Sequence, residues 1–129
     1  MADYDSAMAA LNEFVAHCVE LLQPLGSVRW RRMFGGYGIY LDDFFIAIVA
    51  DEQLYVKTDD INRAQFVAAG CKPFVFQQKD GATMEIKYYR PPEEALESPA
   101  LMLPWARLAL DAALRAAQAK KTPARRSKA

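Results

Sequence analysis

The chain has 129 residues, 53% of them apolar and 25% charged, the balance of an ordinary globular domain. A chain of this length buries about two-thirds of the surface its unfolded form exposes, so one core forms without metals or disulfides. No apolar run approaches the ~20 residues of a spanning helix, and the acidic start Met1-Ala2-Asp3-Tyr4-Asp5 lacks the basic and apolar regions of a signal peptide, so a cytoplasmic domain with no membrane partner is expected.

The first predicted helix covers Ser6 to Gln23, because Met8, Leu11, Val15, Cys18 and Leu22 recur at helical spacing. Ser6 or Asp5 caps its start, and Pro24 and Gly26 end it. Strands follow. Val28, Trp30 and Arg32 alternate with Arg29 and Arg31, the pattern of a short edge strand or an extended entry, and Tyr37 to Leu41 is the next candidate. Asp42-Asp43 turns the chain into Phe44–Ala50, which is apolar on both faces, as a doubly covered central strand would be. After a turn at Asp51-Glu52, Leu54 to Lys57 alternates like a half-buried strand.

A short helix is predicted over Ile61 to Ala69, capped by Asp59 or Asp60 and stopped by Gly70. Phe74–Gln78 and Thr83–Arg90 form a hairpin across Asp80-Gly81. Pro91-Pro92 breaks the second strand, and Pro92 to Leu96 makes a single turn. Ser98-Pro99 starts the last helix, which turns Leu101, Trp105, Leu108 and Ala112 toward the sheet and frays near Lys120. Pro104 predicts an irregular first turn or a start delayed to Leu103. The order helix, three or four strands, helix, two strands, helix gives an α+β class. It reads as a two-layer sandwich, one antiparallel sheet of five to six strands with helices on one face. The folded domain is expected over residues 1–117 and a basic, disordered tail over 118–129.

That tail unbalances a net charge of zero. Residues 115–129 carry Arg115, Lys120, Lys121, Arg125, Arg126 and Lys128 with no acid, +6 against −6 on the rest of the chain. Lys120, Lys121, Arg125, Arg126 and Lys128 can bind nucleic acid through counterion release. They can equally be a solvated end.

The most informative run is Arg31-Arg32-Met33-Phe34-Gly35-Gly36-Tyr37-Gly38, two guanidiniums and three glycines leading into a strand. It reads as a specially shaped turn, since glycine permits positive φ and close approach. Together with Leu54-Tyr55-Val56-Lys57, Asn62-Arg63, Gly70, Pro73-Phe74, Tyr88-Tyr89 and Trp105-Ala106-Arg107, it resembles the N-terminal domain family of the bacterial competence regulator TfoX, over about Asn12 to Ala117. The resemblance implies a compact fold like that of secretion chaperones and a role in regulation. It supplies no catalytic residues.

The residues themselves demand no reaction. His17 is the only histidine and has no HxxxH or carboxylate partner at ligand spacing. The pairs Asp42-Asp43, Asp51-Glu52 and Asp59-Asp60 suit turns and a helix cap rather than a metal. Cys18 and Cys71 match no zinc or redox spacing and read as small hydrophobes. Gly35-Gly36-Tyr37-Gly38 is followed by a strand, which excludes a dinucleotide fingerprint. No enzyme, cofactor or metal is expected. Tyr37, Tyr40, Tyr55, Tyr88 and Tyr89 offer stacking faces, although cross-strand packing explains them more simply.

The candidate site is Arg31, Arg32, Phe34, Gly35, Gly36 and Tyr37, where two guanidiniums beside freed backbone N–H groups can hold an anion or a protein partner. The simpler alternative leaves one arginine solvated and pairs the other with an acid of the same domain. A non-catalytic interaction module is therefore expected, its partner an unknown protein or a second copy of the chain. The alternative is a nucleic-acid accessory protein acting through the tail.

Overall fold

The computed structural model describes residues 13–33, 35–77 and 79–121. Helix α1 (Glu13–Leu22) buries Val15, Cys18, Val19, Leu21 and Leu22, so the expected stripe holds over its described part. Ser6, Met8, Leu11 and the cap at Asp5 lie outside the described residues. Gln23–Leu25 forms one 3-10 turn around Pro24, and Gly26 closes it at φ 140°.

Four strands then run as an antiparallel meander: β1 (Val28–Met33), β2 (Gly36–Leu41), β3 (Phe44–Ala50) and β4 (Gln53–Lys57). The turn between β3 and β4 holds both central residues in the left-handed region, Asp51 at φ 53° and Glu52 at φ 60°. Such turns carry the twist that lets two strands pair. Helix α2 (Arg63–Ala68) then carries the chain across the sheet, shorter than the expected Ile61–Ala69. Strand β5 (Pro73–Gln77) takes the far edge, and β6 (Thr83–Tyr89) returns between β4 and β5. The sheet order is β1-β2-β3-β4-β6-β5, six strands, all antiparallel neighbours. Gln78, expected to end β5, lies outside the described residues.

A 3-10 segment (Glu93–Glu97) leads to helix α3 (Pro99–Lys121). Ser98 caps it, its Oγ accepting the Leu101 N–H at 3.2 Å. Two expectations need correction here. The helix is continuous from Pro99 with Pro104 inside it. Proline removes one intrahelical bond, that to the Ala100 carbonyl, and Ala100 is exposed to water that can replace it. The buried stripe is also different: Met102, Ala106, Ala109, Ala112 and Ala113 face the core, and Leu101 is 46% exposed. Trp105 and Leu108 pack beside that stripe as half-buried residues. Alanines mark a core face weakly in sequence, but they let a helix axis come close to a sheet.

The core lies between the helices and one sheet face. Ile39, Leu41, Ala47, Val49, Leu54, Val56 and Tyr89 come from the strands, and Phe66 of α2 meets Tyr89 at 5.9 Å and Trp105 at 5.0 Å. A register break between Ile39 and Tyr40 leaves one extra residue in β3, and Ile46 and Ala47 are both fully buried. The expectation that β3 is covered twice is not met. Its opposite face carries Phe45 and Ile48, which stay half-buried, and only Phe45 borders α3, across a hollow it shares with Ala113, Ala116, Ala117 and Lys120.

Candidate partner-binding surface

Met33 pairs with Gly36 where β1 passes into β2. Phe34 lies outside the described residues. The glycines around it answer different needs. Gly35 sits at φ 77° with open space where a side chain would go. Gly36 has no such space: a Cβ there would stand 2.3 Å from the Val49 carbonyl oxygen. At Gly38 it would stand 2.7 Å from the Phe45 ring and 2.8 Å from the Met33 methyl, so those two side chains lie across the glycine.

The structure separates the two arginines of the motif. Successive side chains of a strand point to opposite faces. Arg32, opposite Tyr37, lies on the helix side with its guanidinium 5.7 Å from the Tyr37 ring centre. Arg31, opposite Gly38, lies on the other face. Both are exposed, and neither forms an ion pair among the described residues. The two guanidiniums therefore do not form one clamp. It is the neighbouring Arg29 that reaches an acid of the domain: it donates to the Asp42 carbonyl at 2.7 Å and reaches Asp43 Oδ1 at 3.4 Å. Tyr37 meets Trp30 edge-on at 6.1 Å. Arg32, Gly35, Gly36 and Tyr37 share with Met33 the rim of an open hollow of about 330 Å³.

The larger feature is the sheet face away from the helices. Tyr40 and Phe45 stack at 5.0 Å, Phe45 meets Tyr88 at 5.9 Å, and Tyr55 packs on Phe74 at 4.6 Å. Lys57 Nζ lies 5.2 Å from the Tyr88 ring centre, within cation–π reach. Burial, then the neighbouring Tyr40, pushes the Tyr88 hydroxyl up to about 12, so it stays a neutral donor. Burial also lowers the Lys57 ammonium, Lys120 adds to this, and Asp59 opposes it. Of the five tyrosines singled out in the sequence, Tyr40, Tyr55 and Tyr88 share this face, and Tyr37 and Tyr89 point to the helix side. Phe45 and Phe74 were not singled out, although alternation from Tyr40 and Tyr55 across paired strands places them here.

A second group of polar side chains pins the segment after β4 to α3. Arg115 grips Asp59 with two bonds, 2.6 and 3.0 Å, and Asp59 Oδ1 also accepts from the Ile61 and Asn62 N–H groups at 3.1 Å. The Arg115 bond holds the Asp59 carboxyl below the usual range, against the opposing effect of burial. Buried Asn62 donates to the Leu108 carbonyl at 2.8 Å and accepts the Asp59 N–H at 3.0 Å. This knot explains Asn62 as structural.

His17 Nε2 donates to the Leu96 carbonyl at 2.6 Å, a tie between α1 and the segment before α3. Cys18 is fully buried and Cys71 half-buried, both free thiols. Among the described residues no three His, Cys, Asp or Glu side chains are grouped to hold a metal, and no helix is long and apolar enough to cross a membrane. Of the tail, Lys120 is exposed at the end of α3. The Lys121 side chain and Arg125, Arg126 and Lys128 lie outside the described residues.

Residues 20–113 match the TfoX N-terminal domain, and the chain belongs to that family. It is 28% identical over 103 residues to Protein Sxy of Escherichia coli, a match covering 80% of this chain and 49% of that protein. It is 27% identical over 82 residues to the DNA transformation protein TfoX of Haemophilus influenzae, covering 63% of this chain and 38% of that one. The figures for the DNA transformation protein TfoX1 of Aliivibrio fischeri are 30%, 64% and 39%. The chain thus spans half or less of the curated relatives it matches.

Proposed function

We propose that this member of the TfoX N-terminal domain family is a non-catalytic regulatory module that works by holding a protein partner, in a competence-type regulatory role. One observation carries the reading: the sheet face away from the core bears half-buried Tyr40, Phe45, Tyr55 and Phe74 around a buried Tyr88, and the end of α3 reaches only its Phe45–Lys57 corner. Partly exposed aromatic surface of this kind marks an interaction site, and aromatic anchors carry much of the energy of protein interfaces. The hollow at Arg32, Gly35, Gly36 and Tyr37 lies at the β1–β2 turn, with Arg31 on the aromatic face. The relatives' names, DNA transformation proteins among them, supply the competence context, and the chain spans less than half of those two proteins.

The test compares affinity capture by the full chain, a Tyr55→Lys variant and a Leu114→Lys control on the helix side, at low and moderate salt. Melting curves for all three come first. A discrete protein is expected with the parent chain and the control, and lost with Tyr55→Lys at unchanged melting temperature. Equal retention by all three refutes the reading. So does retention of nucleic acid alone, lost as salt rises, which would transfer the function to the basic tail.

A further inference from the structure

Among the described residues, strand β1 ends the sheet and pairs only with β2. The Ser27 carbonyl accepts the Asp42 N–H at 3.3 Å. Backbone groups alternate direction along an antiparallel strand. Arg29, Arg31 and Met33 therefore bond toward β2, and Val28, Trp30 and Arg32 present their N–H and C=O groups to the open edge. The pairing of Met33 with Gly36, six residues along from Ser27, has the same phase.

Open edges invite strand addition, and proteins blunt them with proline, bulges or charge. The opposite edge, β5, begins at Pro73 and breaks register between Pro73 and Phe74. Strand β1 has neither device. It pairs regularly over six residues, Val-Arg-Trp-Arg-Arg-Met, and its only protection among the described residues is positive charge. That protection is selective. A second copy laid antiparallel about Trp30 would set Arg29 against Arg31, and like charges directly opposite destabilise a pair. An acidic strand meets the reverse situation. Arg29 is held at this face by the Asp42 carbonyl and, at 3.4 Å, by the fully exposed Asp43 carboxylate, yet remains 62% exposed, and Arg31 forms no ion pair among the described residues. Both lie on the aromatic side, two residues apart, with half-buried Trp30 between them on the helix side.

We propose that the β1 edge takes up an extended acidic segment of a partner protein as an added strand, reading the pattern acid–apolar–acid. The two acids lie opposite Arg29 and Arg31, and the apolar residue between them lies opposite Trp30. Main-chain bonds to Val28, Trp30 and Arg32 supply the affinity, and the alternate side chains supply the choice of partner. The inference rests on the protein-binding reading above and names the chemistry of the partner.

The test uses the full chain and a short capped peptide alternating glutamate and valine, with a lysine–valine peptide as control. Binding is followed by titration calorimetry and by amide hydrogen exchange. The acidic peptide is expected to slow exchange at Val28, Trp30 and Arg32, and the lysine peptide to leave it unchanged. Reversing both charges, Arg29→Glu with Arg31→Glu, should weaken binding about tenfold. Arg32→Pro removes an outward N–H and no bond to β2, so it should abolish binding at unchanged melting temperature. If that variant melts early, the exchange pattern of the parent chain decides. Equal affinity for both peptides, protection at β5 instead, or no binding by the parent chain overturns the inference. A cellular partner lost with Tyr55→Lys but kept by folded Arg32→Pro would overturn it too, and would leave the protein-binding reading standing.

Discussion

Replacing Gly36 by alanine tests the close approach at the base of the β1–β2 turn. The new methyl would stand 2.3 Å from the Val49 carbonyl oxygen, which is backbone and lies beside the paired residues Tyr37 and Val49. An ordinary carbon–oxygen contact needs about 1 Å more, so β2 and β3 must part locally. Overpacking of this kind costs about 1–3 kcal/mol, and one weakened ladder bond adds about 1 kcal/mol. A loss of about 2–4 kcal/mol is expected, roughly 6–15 °C in melting temperature for a chain of this size. Gly38→Ala is the comparison. Its methyl meets the Met33 methyl at 2.8 Å and the Phe45 ring at 2.7 Å, side chains that can move, so a loss of about 1 kcal/mol is expected. Urea unfolding followed by tryptophan fluorescence measures both. A Gly36→Ala variant within about 0.5 kcal/mol of the parent, or one more stable than Gly38→Ala, refutes the reasoning.

Asn62→Ala removes the bond to the Leu108 carbonyl and leaves the Asp59 N–H without its acceptor. A loss of about 2–3 kcal/mol in urea unfolding is expected. Asp59 is held below its unfolded value, chiefly by Arg115, so its contribution is present above the ordinary carboxylate range and is lost as pH falls through the folded value. Arg115→Gln should therefore cost about 1 kcal/mol at neutral pH, allowing for solvent screening of a partly exposed pair. Stability measured down the acid limb should show the gap to the parent closing. Cys18 is fully buried and its thiol is pushed up to about 12, mainly by burial. A thiol reagent should titrate Cys71 in the native protein, and Cys18 only after unfolding.

Strong local signals made the fold legible. Alternation in Tyr37–Leu41 and Leu54–Lys57, the carboxylate turns and Ser98-Pro99 each set an element that the structure contains. Packing decided the remainder. The α3 stripe is built on alanines, so the more apolar Leu101 misdirected the helix face by one position. Pro104 reads as a break, but its cost is one carbonyl at an exposed residue. At the candidate site, Arg31-Arg32 reads as a pair until strand geometry sends the side chains to opposite faces. The aromatic face was half visible: its tyrosines stood out, but only strand order shows that Phe74 of β5 lies against Tyr55 of β4, with β6 between the two strands.

The most direct measurement of the function places a photo-activated crosslinking residue at Tyr55, on the uncovered face, and in parallel at Arg107, an exposed position of α3. Each is then illuminated in the native cell. A discrete protein adduct from Tyr55 and none from Arg107 is expected. Adducts from Arg107 alone, or nucleic acid as the only product at Tyr55, would contradict a regulatory module that holds its partner on the aromatic sheet face.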